Sequence, residues 1–430
     1  QLAGVASGPP IRAVLKYDMS AEVRRSSAAW LPDVTFGSKS ARSANGSLER
    51  HVSNSSADGR ATMHPGRASG HKVLVDGFFL DRPYGFGRYL RELIEALDRH
   101  APAIDLAVAV KPGAAALAAA LAPRADIVEG PDWNLLVWEQ LAVPRLARKT
   151  GAGLIHSPAN TRPLLRFGAR GVVTLHDLIF ERQRMLDGSI SDIIYRLYSK
   201  LCLRVLARSG DGIVSVSRTT ADDLVAQHER ASTVIYNSAS GFARSVGSGA
   251  AQGEYFLHRG GTAPHRNTSL VAKAFIESGL AAQGVELRVF GLAGDSTLAR
   301  SVKAPGIRLL PRLSDAELTA EYRGAIAVLA LSLEEGFGLP IIEAFALGAA
   351  VIASDRAPMN EIAGGAALLI DPTDKAAVCS ALQHVHDDHD LRRQLIDAGK
   401  RRAVDFDHPT IAAQWSALYQ TAGSQVATVT

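Results

Sequence analysis

From Lys72 onward, short apolar runs alternate with stretches whose apolar residues recur every three or four positions. "KVLVD" (72–76), "IDLAVAV" (104–110), "AGLIHSP" (152–158), "GVVTLHD" (171–177) and "GDGIVSVS" (210–217) read as buried strands that end in polar residues. A second series follows: "YFLHRG" (255–260), "VELRVFG" (285–291), "GIRLLP" (306–311), "AIAVLALS" (325–332), "AAVIAS" (349–354) and "AALLID" (366–371). Between them lie amphipathic segments such as "RYLRELIEALDRH", in which Leu90, Leu93, Ile94 and Leu97 share one helical face. Strands alternating with helices imply parallel sheets covered on both faces. The pattern predicts two Rossmann-like, doubly wound α/β domains, 71–240 and 241–405, with the small polar stretch 237–253 as linker. Residues 406–430 are expected to form a helix packing back toward the N-terminal domain, with Ile411, Trp415 and Leu418 on one stripe. Residues 1–70, rich in Ser, Ala, Gly and Arg without a sustained period, read as a poorly ordered extension. Ligands of such sheets bind beyond the carboxyl ends of the strands, so the default site is the cleft between the domains.

Composition narrows this picture. Hydrophobic residues make up 47% of 430, enough for two cores, and the net charge of +4 contains no dominating basic block, which argues against nucleic acid. The two cysteines, Cys202 and Cys379, lie far apart, without the spacing of a disulfide framework or a zinc site. They fit a reducing compartment. No run is long enough to span a bilayer. The expected location is cytoplasmic, with room for peripheral contact at the inner face of the membrane.

The candidate chemistry centres on "EEGFGLPIIEAFALGAAVIASD" (334–355). Glu335 falls in the loop after the strand 325–332, and Pro340 suits the first turn of a helix. Glu343 falls in that first turn or just after it, and Gly348 suits the helix stop. Both carboxylates then sit at the mouth of the cleft. Gly336 and Gly338 let backbone approach a ligand, and free N–H groups at the helix start can meet a phosphate. A ligand with phosphate in its middle and hydroxyls at both ends fits this layout, and a nucleotide sugar has it.

At these residues the chain resembles the retaining glycosyltransferases of family 4, the glycosyl transferases of group 1, and among them the bacterial mannosyltransferases. The likeness runs from Lys72 to Tyr419 through "YGFGRYL", "VVTLHDLIF", "IVSVSRTTADDL", "YFLHRGGTAPHRN", "SLEEGFGLPIIEAFALGAAVIASD" and "EIAGGAALLIDPTD". It implies the GT-B fold, two Rossmann-like domains facing a central cleft. It further implies that Glu335 accepts hydrogen bonds from the donor sugar, Glu343 holds the ribose, and Arg266 neutralises the diphosphate. The backbone around Phe337, Gly338 and Leu339 would face sugar and phosphates. Gly85 and Gly87 would approach the phosphates from across the cleft, with Gly260 and His265 in the phosphate loop. His176 would contact the reacting centre. Where the family carries Arg-Lys before Asn, this chain has His265-Arg266-Asn267, so leaving-group stabilisation falls to Arg266, aided by Arg259, unless a bound phosphate raises the His265 pKa.

The resemblance implies transfer of a hexose with retention, no metal, and no cofactor beyond the nucleotide-diphosphate sugar that serves as substrate. Mannose from GDP-mannose is the first choice of donor, with UDP- and dTDP-sugars open. The acceptor expected is a glycan or lipid-linked oligosaccharide of a cell-surface polysaccharide such as lipopolysaccharide. A non-catalytic binding protein of the same fold, favoured by His265, and an epimerase or phosphorylase are the competing readings. "HVHDDHD" (384–390) has metal-binding residue types but reads as a solvated loop. In "YRLYSKLCLRVLARS", Arg196, Lys200, Arg204 and Arg208 are expected along an exposed face that could meet anionic lipid, with Leu197, Leu201 and Val205 toward the core.

Overall fold

A computed structural model describes residues 72–83, 85–182, 190–244, 253–292 and 296–424. All belong to one unit that runs from Ala68 to the C-terminus. The expected extension, residues 1–70, lies outside the described residues.

The N-terminal sheet has seven parallel strands: β1 (Val73–Asp76), β2 (Leu106–Val110), β3 (Asp126–Glu129), β4 (Leu154–Ser157), β5 (Arg170–Leu175), β6 (Gly212–Ser215) and β7 (Thr233–Val234), in the order β3-β2-β1-β4-β5-β6-β7. The C-terminal sheet has six: β8 (Tyr255–Arg259), β9 (Glu286–Phe290), β10 (Ile307–Leu309), β11 (Ala327–Ala330), β12 (Val351–Ser354) and β13 (Leu368–Ile370), in the order β10-β9-β8-β11-β12-β13. Each order reverses beside its first strand, which opens a crevice at the carboxyl ends of β1/β4 and of β8/β11. Every strand read from an apolar run is present. The two that pattern reading missed, β3 and β7, are edge strands whose half-exposed residues carry no apolar run.

Helix His408–Ser424 buries Ile411, Trp415 and Tyr419 in the core built by Leu90, Leu93 and Leu97 of helix Phe86–His100. The C-terminal tail of the chain is therefore part of the N-terminal core. Segment 237–253 is not a plain linker. Residues Ser240–Arg244 are helical, and Phe242 is buried. The cause is Glu92, a buried carboxylate that accepts hydrogen bonds from the N–H groups of Gly241 (2.8 Å) and Phe242 (2.7 Å) and from His408 Nε2 (2.7 Å). One side chain thus fixes both connections between the halves. Residues 245–252 lie outside the described residues.

Two further expectations are corrected. His384 and His386 lie on helix Lys375–Asp387, and only Asp388 separates it from helix His389–Ala403, so 384–390 is not a loop. On helix Ile190–Arg208 the core face differs from the expected one, although Arg204 and Arg208 are exposed as expected. Leu197 and Leu201 are about half exposed, Arg196 is buried, and the core is met by Tyr198, Cys202, Leu203 and Leu206. Two apolar stripes compete on this helix, and periodicity alone does not say which one the sheet takes.

Candidate active site

The strand ends bring the motif residues together. Beyond β11, Ser332 and Glu335 form the start of the motif loop. The Ser332 hydroxyl donates to Glu335 Oε1 (2.9 Å), and the same carboxylate pairs with Arg266. Arg266 sits in the tight turn Pro264–Arg266 after β8. Asn267 holds that turn in place: its φ of 58° ends the turn, and its side-chain amide donates to the carbonyls of Leu331 (3.1 Å) and Pro372 (2.7 Å). The Leu333 N–H donates to the His265 carbonyl (2.7 Å), tying the loop after β11 to the phosphate-loop candidate.

Helix Leu339–Leu347 begins at Gly338, whose φ of 108° favours glycine, and carries Pro340 in its first turn. No side chain caps this start. Glu343 lies one turn in and is buried. The Tyr322 hydroxyl donates to its Oε2 (2.6 Å). Burial, then the Glu343 charge beside it, raises the Tyr322 pKa well above its ordinary value, so the phenol keeps its proton and stays a donor.

Glu343 Oε1 faces a residue that sequence reasoning passed over. Arg88, on the N-terminal half, places its Nε 3.8 Å from that oxygen and donates from Nη2 to Asp315 Oδ1 (2.7 Å). Its guanidinium lies 4.0 Å from the ring centre of Phe242. Its Nε is buried and makes no hydrogen bond. A small cavity between the halves is lined by Gly85, Arg88, Arg259, Phe290, Leu318, Leu339 and Glu343. The signal was available: Arg88, Glu92 and Glu95 recur at helical spacing on a helix whose other stripe is apolar, and all three are buried.

The motif loop is seated directly on the N-terminal half. A β-carbon on Gly336 would stand 1.9 Å from the His176 carbonyl oxygen. The Gly336 carbonyl accepts from the hydroxyls of Ser217 (2.9 Å) and Thr220 (3.4 Å). Gly336 is therefore needed for contact between the halves, not for contact with a ligand. Glu361, a second residue missed as functional, adds to this seam. It accepts from the N–H groups of Arg218 (2.7 Å) and Thr219 (3.2 Å) at the start of helix Arg218–His228, and from the Tyr236 hydroxyl (3.0 Å). A carboxylate at a helix N-terminus is favoured by the helix dipole and by the unpaired N–H groups there.

His176, at the end of β5, has its backbone N–H bound to the Asn160 side chain (2.7 Å) and its Nε2 2.8 Å from the Pro158 carbonyl. A carbonyl only accepts, so Nε2 carries the proton, and Nδ1 of the neutral ring is the acceptor. Burial pushes the ring down to about 4, against the opposing effect of the Pro158 carbonyl. The rings of Phe86 and Tyr89 pack edge-on against it at 4.9 and 4.6 Å. Its neighbour Asp177 is raised to about 6 by burial, opposed by the Ile179 N–H and reinforced by the charges of Glu335 and Glu334.

Several motif residues serve the chain itself. A β-carbon on Gly87 would meet the carbonyl oxygens of Arg82 (2.0 Å) and Phe79 (2.6 Å), so this glycine packs the helix start on its own loop, whereas Gly85, at φ 59°, has open space around it. The Gly260 N–H is taken by the Phe290 carbonyl (2.8 Å), and a side chain there would strike Val289. The Phe337 side chain is buried against Tyr236 and Phe406 and does not face the cleft. Half-buried His265 is held below its ordinary pKa by burial and then by the Arg266 charge. Arg259, a second arginine near Arg266, lines the cavity. Among the described residues no three His, Cys, Asp or Glu side chains are grouped as a metal site, and no helix is long and apolar enough to cross a membrane.

Comparison with known proteins bears on this arrangement. Residues 83–239 match the family described as Glycosyltransferase Family 4, and residues 249–402 match Glycosyl transferases group 1. The O-antigen chain mannosyltransferase RfbU of Salmonella typhimurium is 27% identical over 287 residues, 62% of this chain and 74% of that protein. The MMP alpha-(1->4)-mannosyltransferase of Mycolicibacterium hassiacum is 38% identical over 119 residues, 27% of this chain and 29% of that protein. The chain thus spans less than a third of that relative's length. Among solved structures, Anabaena Alr3699/HepE in complex with UDP and glucose superposes with a TM-score of 0.62 at 16% identity, over 82% of this chain and 100% of that one. This last likeness concerns the fold alone.

Proposed function

Because the chain belongs to the glycosyltransferases of family 4 and group 1, with the GT-B fold, we propose that its cleft transfers a hexose, with retention, from a nucleotide-diphosphate sugar to a glycan or lipid-linked acceptor. The observation that carries the reading is convergence: Glu335 with Arg266, and Glu343 with Arg88 and Arg259, at the facing strand ends of the two halves. In this reading Glu343 accepts from the ribose hydroxyls and Glu335 from those of the sugar. Arg266 and Arg259 lie against the diphosphate, with Gly85 approaching from the other half.

Transfer breaks the bond between the anomeric carbon and the diphosphate oxygen, and the acceptor oxygen forms its bond on the same face. The acceptor's proton passes to the departing phosphate oxygen. The fixed cations stabilise the charge that develops there without having to reorganise. His176, neutral and held by Pro158 and Asn160, presents Nδ1 as an acceptor toward a substrate hydroxyl and orients it. Closure of the halves limits hydrolysis of the donor.

Mannose from GDP-mannose is the donor we propose, and a surface polysaccharide of the O-antigen type the product. The mannosyltransferase names of the relatives support mannose, and the O-antigen chain named for RfbU supports the product. The competing reading of a non-catalytic binder rests on His265, and the cations Arg266 and Arg259 beside it favour catalysis.

A thermal-shift panel of GDP, UDP, dTDP and ADP tests the donor, since a ligand that binds the native state raises its melting temperature. GDP is expected to give the largest shift. Donor hydrolysis by the wild type and by Glu335→Ala tests catalysis, and equal turnover by both would overturn the assignment. Isomerised nucleotide sugar as the product would move the chain to epimerase chemistry.

A further inference from the structure

We infer that the outer face of helix Ile190–Arg208 docks this protein on an anionic lipid surface, with its apolar residues entering the headgroup region. Ile190 is 77% exposed, Ile194 54%, Leu197 51% and Leu201 48%. Their spacing of four, three and four residues puts them on one line, so three turns of the helix present branched aliphatic side chains to solvent. A contiguous apolar strip of this kind marks an interaction surface. The same line continues through Arg204 and Arg208, both exposed. Among the described residues neither pairs with a carboxylate.

Charge selects the occupant. The helix carries four basic residues against one acidic, Asp192. Helix Val143–Thr150 has Arg145, Arg148 and Lys149 exposed and no acidic residue. Hydrogen bonds tie these segments into one block: Gln140 Nε2 reaches the Arg162 carbonyl (2.9 Å) and Tyr198 Oη (2.5 Å), while its Oε1 accepts from the Leu164 N–H (2.9 Å). The loop so held exposes Leu165 (68%) and Phe167 (61%), and the Arg148 guanidinium lies over the Phe167 ring. Exposed aliphatic and aromatic side chains among exposed cations match an anionic bilayer interface, where apolar burial and electrostatic attraction act together. Arg196 and Lys200 take no part. The first is buried, and the second donates to the Glu181 carbonyl (3.1 Å).

The position of the strip gives the docking a use. β5 and β6 are parallel neighbours, so the connection between them, of which helix Ile190–Arg208 is the last helix, leaves from the carboxyl end of β5, where His176 stands. Tyr195, in its second turn, donates to the Ala159 carbonyl (3.4 Å), between the two residues that hold His176. A membrane met by the strip therefore lies beside the cleft mouth, where a lipid-linked acceptor would enter.

Sedimentation of the full chain with phosphatidylcholine vesicles, with and without about one third phosphatidylglycerol, tests the inference. Binding is expected to the anionic vesicles only, and to weaken with salt. Leu197→Ser/Leu201→Ser and Arg204→Glu/Arg208→Glu should each cut it about tenfold or more. Both pairs are exposed, so melting temperature and the nucleoside-diphosphate thermal shift should stay at wild-type values, which separates this inference from the sugar-transfer reading. No binding to anionic vesicles, or binding unchanged in both double variants, overturns it. So does a concentration-dependent dimer that Leu197→Ser/Leu201→Ser dissolves, which would assign the strip to a second copy of the chain.

Discussion

The missing side chain of Gly336 lets the motif loop touch the His176 backbone: a β-carbon would stand 1.9 Å from the His176 carbonyl oxygen. Neither atom belongs to a rotatable side chain, so the clash has no local escape. Gly336→Ala should therefore lift the loop carrying Glu335 away from His176. A displacement of about an ångström at a reacting centre costs on the order of 100-fold in rate. We expect turnover to fall by about that factor while nucleoside-diphosphate affinity is largely kept, because Glu343, Arg259 and Arg266 all lie on the C-terminal half. Turnover within a few-fold of wild type would show that the seam is not part of the working geometry.

Glu343 is the buried carboxylate assigned to the ribose, with Tyr322 donating to one oxygen and Arg88 beside the other. Losing a hydrogen bond from a charged acceptor costs about 1.5–3 kcal/mol. Glu343→Ala should therefore raise the nucleoside-diphosphate Kd by about 10- to 100-fold in calorimetry. Tyr322→Phe removes a donor that the ligand does not need, so its effect should appear in melting temperature more than in Kd. Unchanged affinity in Glu343→Ala would contradict the ribose role.

Arg88 reaches Asp315 and Glu343 from the opposite half, and its Nε has no hydrogen-bond partner in the cavity. Arg88→Lys keeps the charge but loses the planar fork. We expect both Arg88→Lys and Arg88→Ala to raise the donor KM, the lysine variant nearly as much as the alanine one. A lysine variant with wild-type KM would reduce Arg88 to a point charge.

How far the sequence revealed this site depended on the distance between partners. Glu335, Glu343, Gly338 and Pro340 fall within one strand–loop–helix unit, so local rules of strand ends and helix starts placed them. Arg88, by contrast, meets Asp315 227 positions away, and Glu92 meets His408 316 positions away. No local rule reaches that far. Their only trace is a charged stripe on a helix that already has an apolar one. Helix Ile190–Arg208 failed for the complementary reason: with two apolar stripes, the choice of core face belongs to the sheet beneath. Gly336 was legible as a required glycine but not for its cause, because the atom it must avoid is a backbone oxygen of the other half.

The Arg266–Glu335 pair joins the residue assigned to the diphosphate with the one assigned to the sugar. A free nucleoside diphosphate engages the first role only. Glu335→Gln should therefore leave nucleoside-diphosphate affinity near wild type while turnover drops about 100-fold or more, and Arg266→Ala should reduce both. A double-mutant cycle on turnover should show coupling, of about 0.5–3 kcal/mol for residues in direct contact. Near-normal rates in Arg266→Ala would shift the diphosphate role to Arg259.

Asp177 provides the pH test. In the folded chain its carboxyl holds a proton up to about pH 6, because burial disfavours the charge, against the Ile179 N–H, and because Glu335 and Glu334 stand near. The ordinary value is 3.8, so folding takes up a proton between these two values. The Asp177 contribution to stability therefore falls as pH rises through that window, since at this site the native state binds more protons than the unfolded one, while the buried His176, with its pKa lowered, contributes with the opposite sign. Asp177→Asn removes the penalty and should flatten this part of the curve, gaining stability above about pH 6 in melting experiments run from about pH 4 to pH 7. His176 makes no limb near neutrality, because its ring, held down to about 4, is neutral there. An acid limb in the turnover profile near pH 6 should accordingly disappear in Asp177→Asn. A limb that persists there would place the titrating group elsewhere in the cleft.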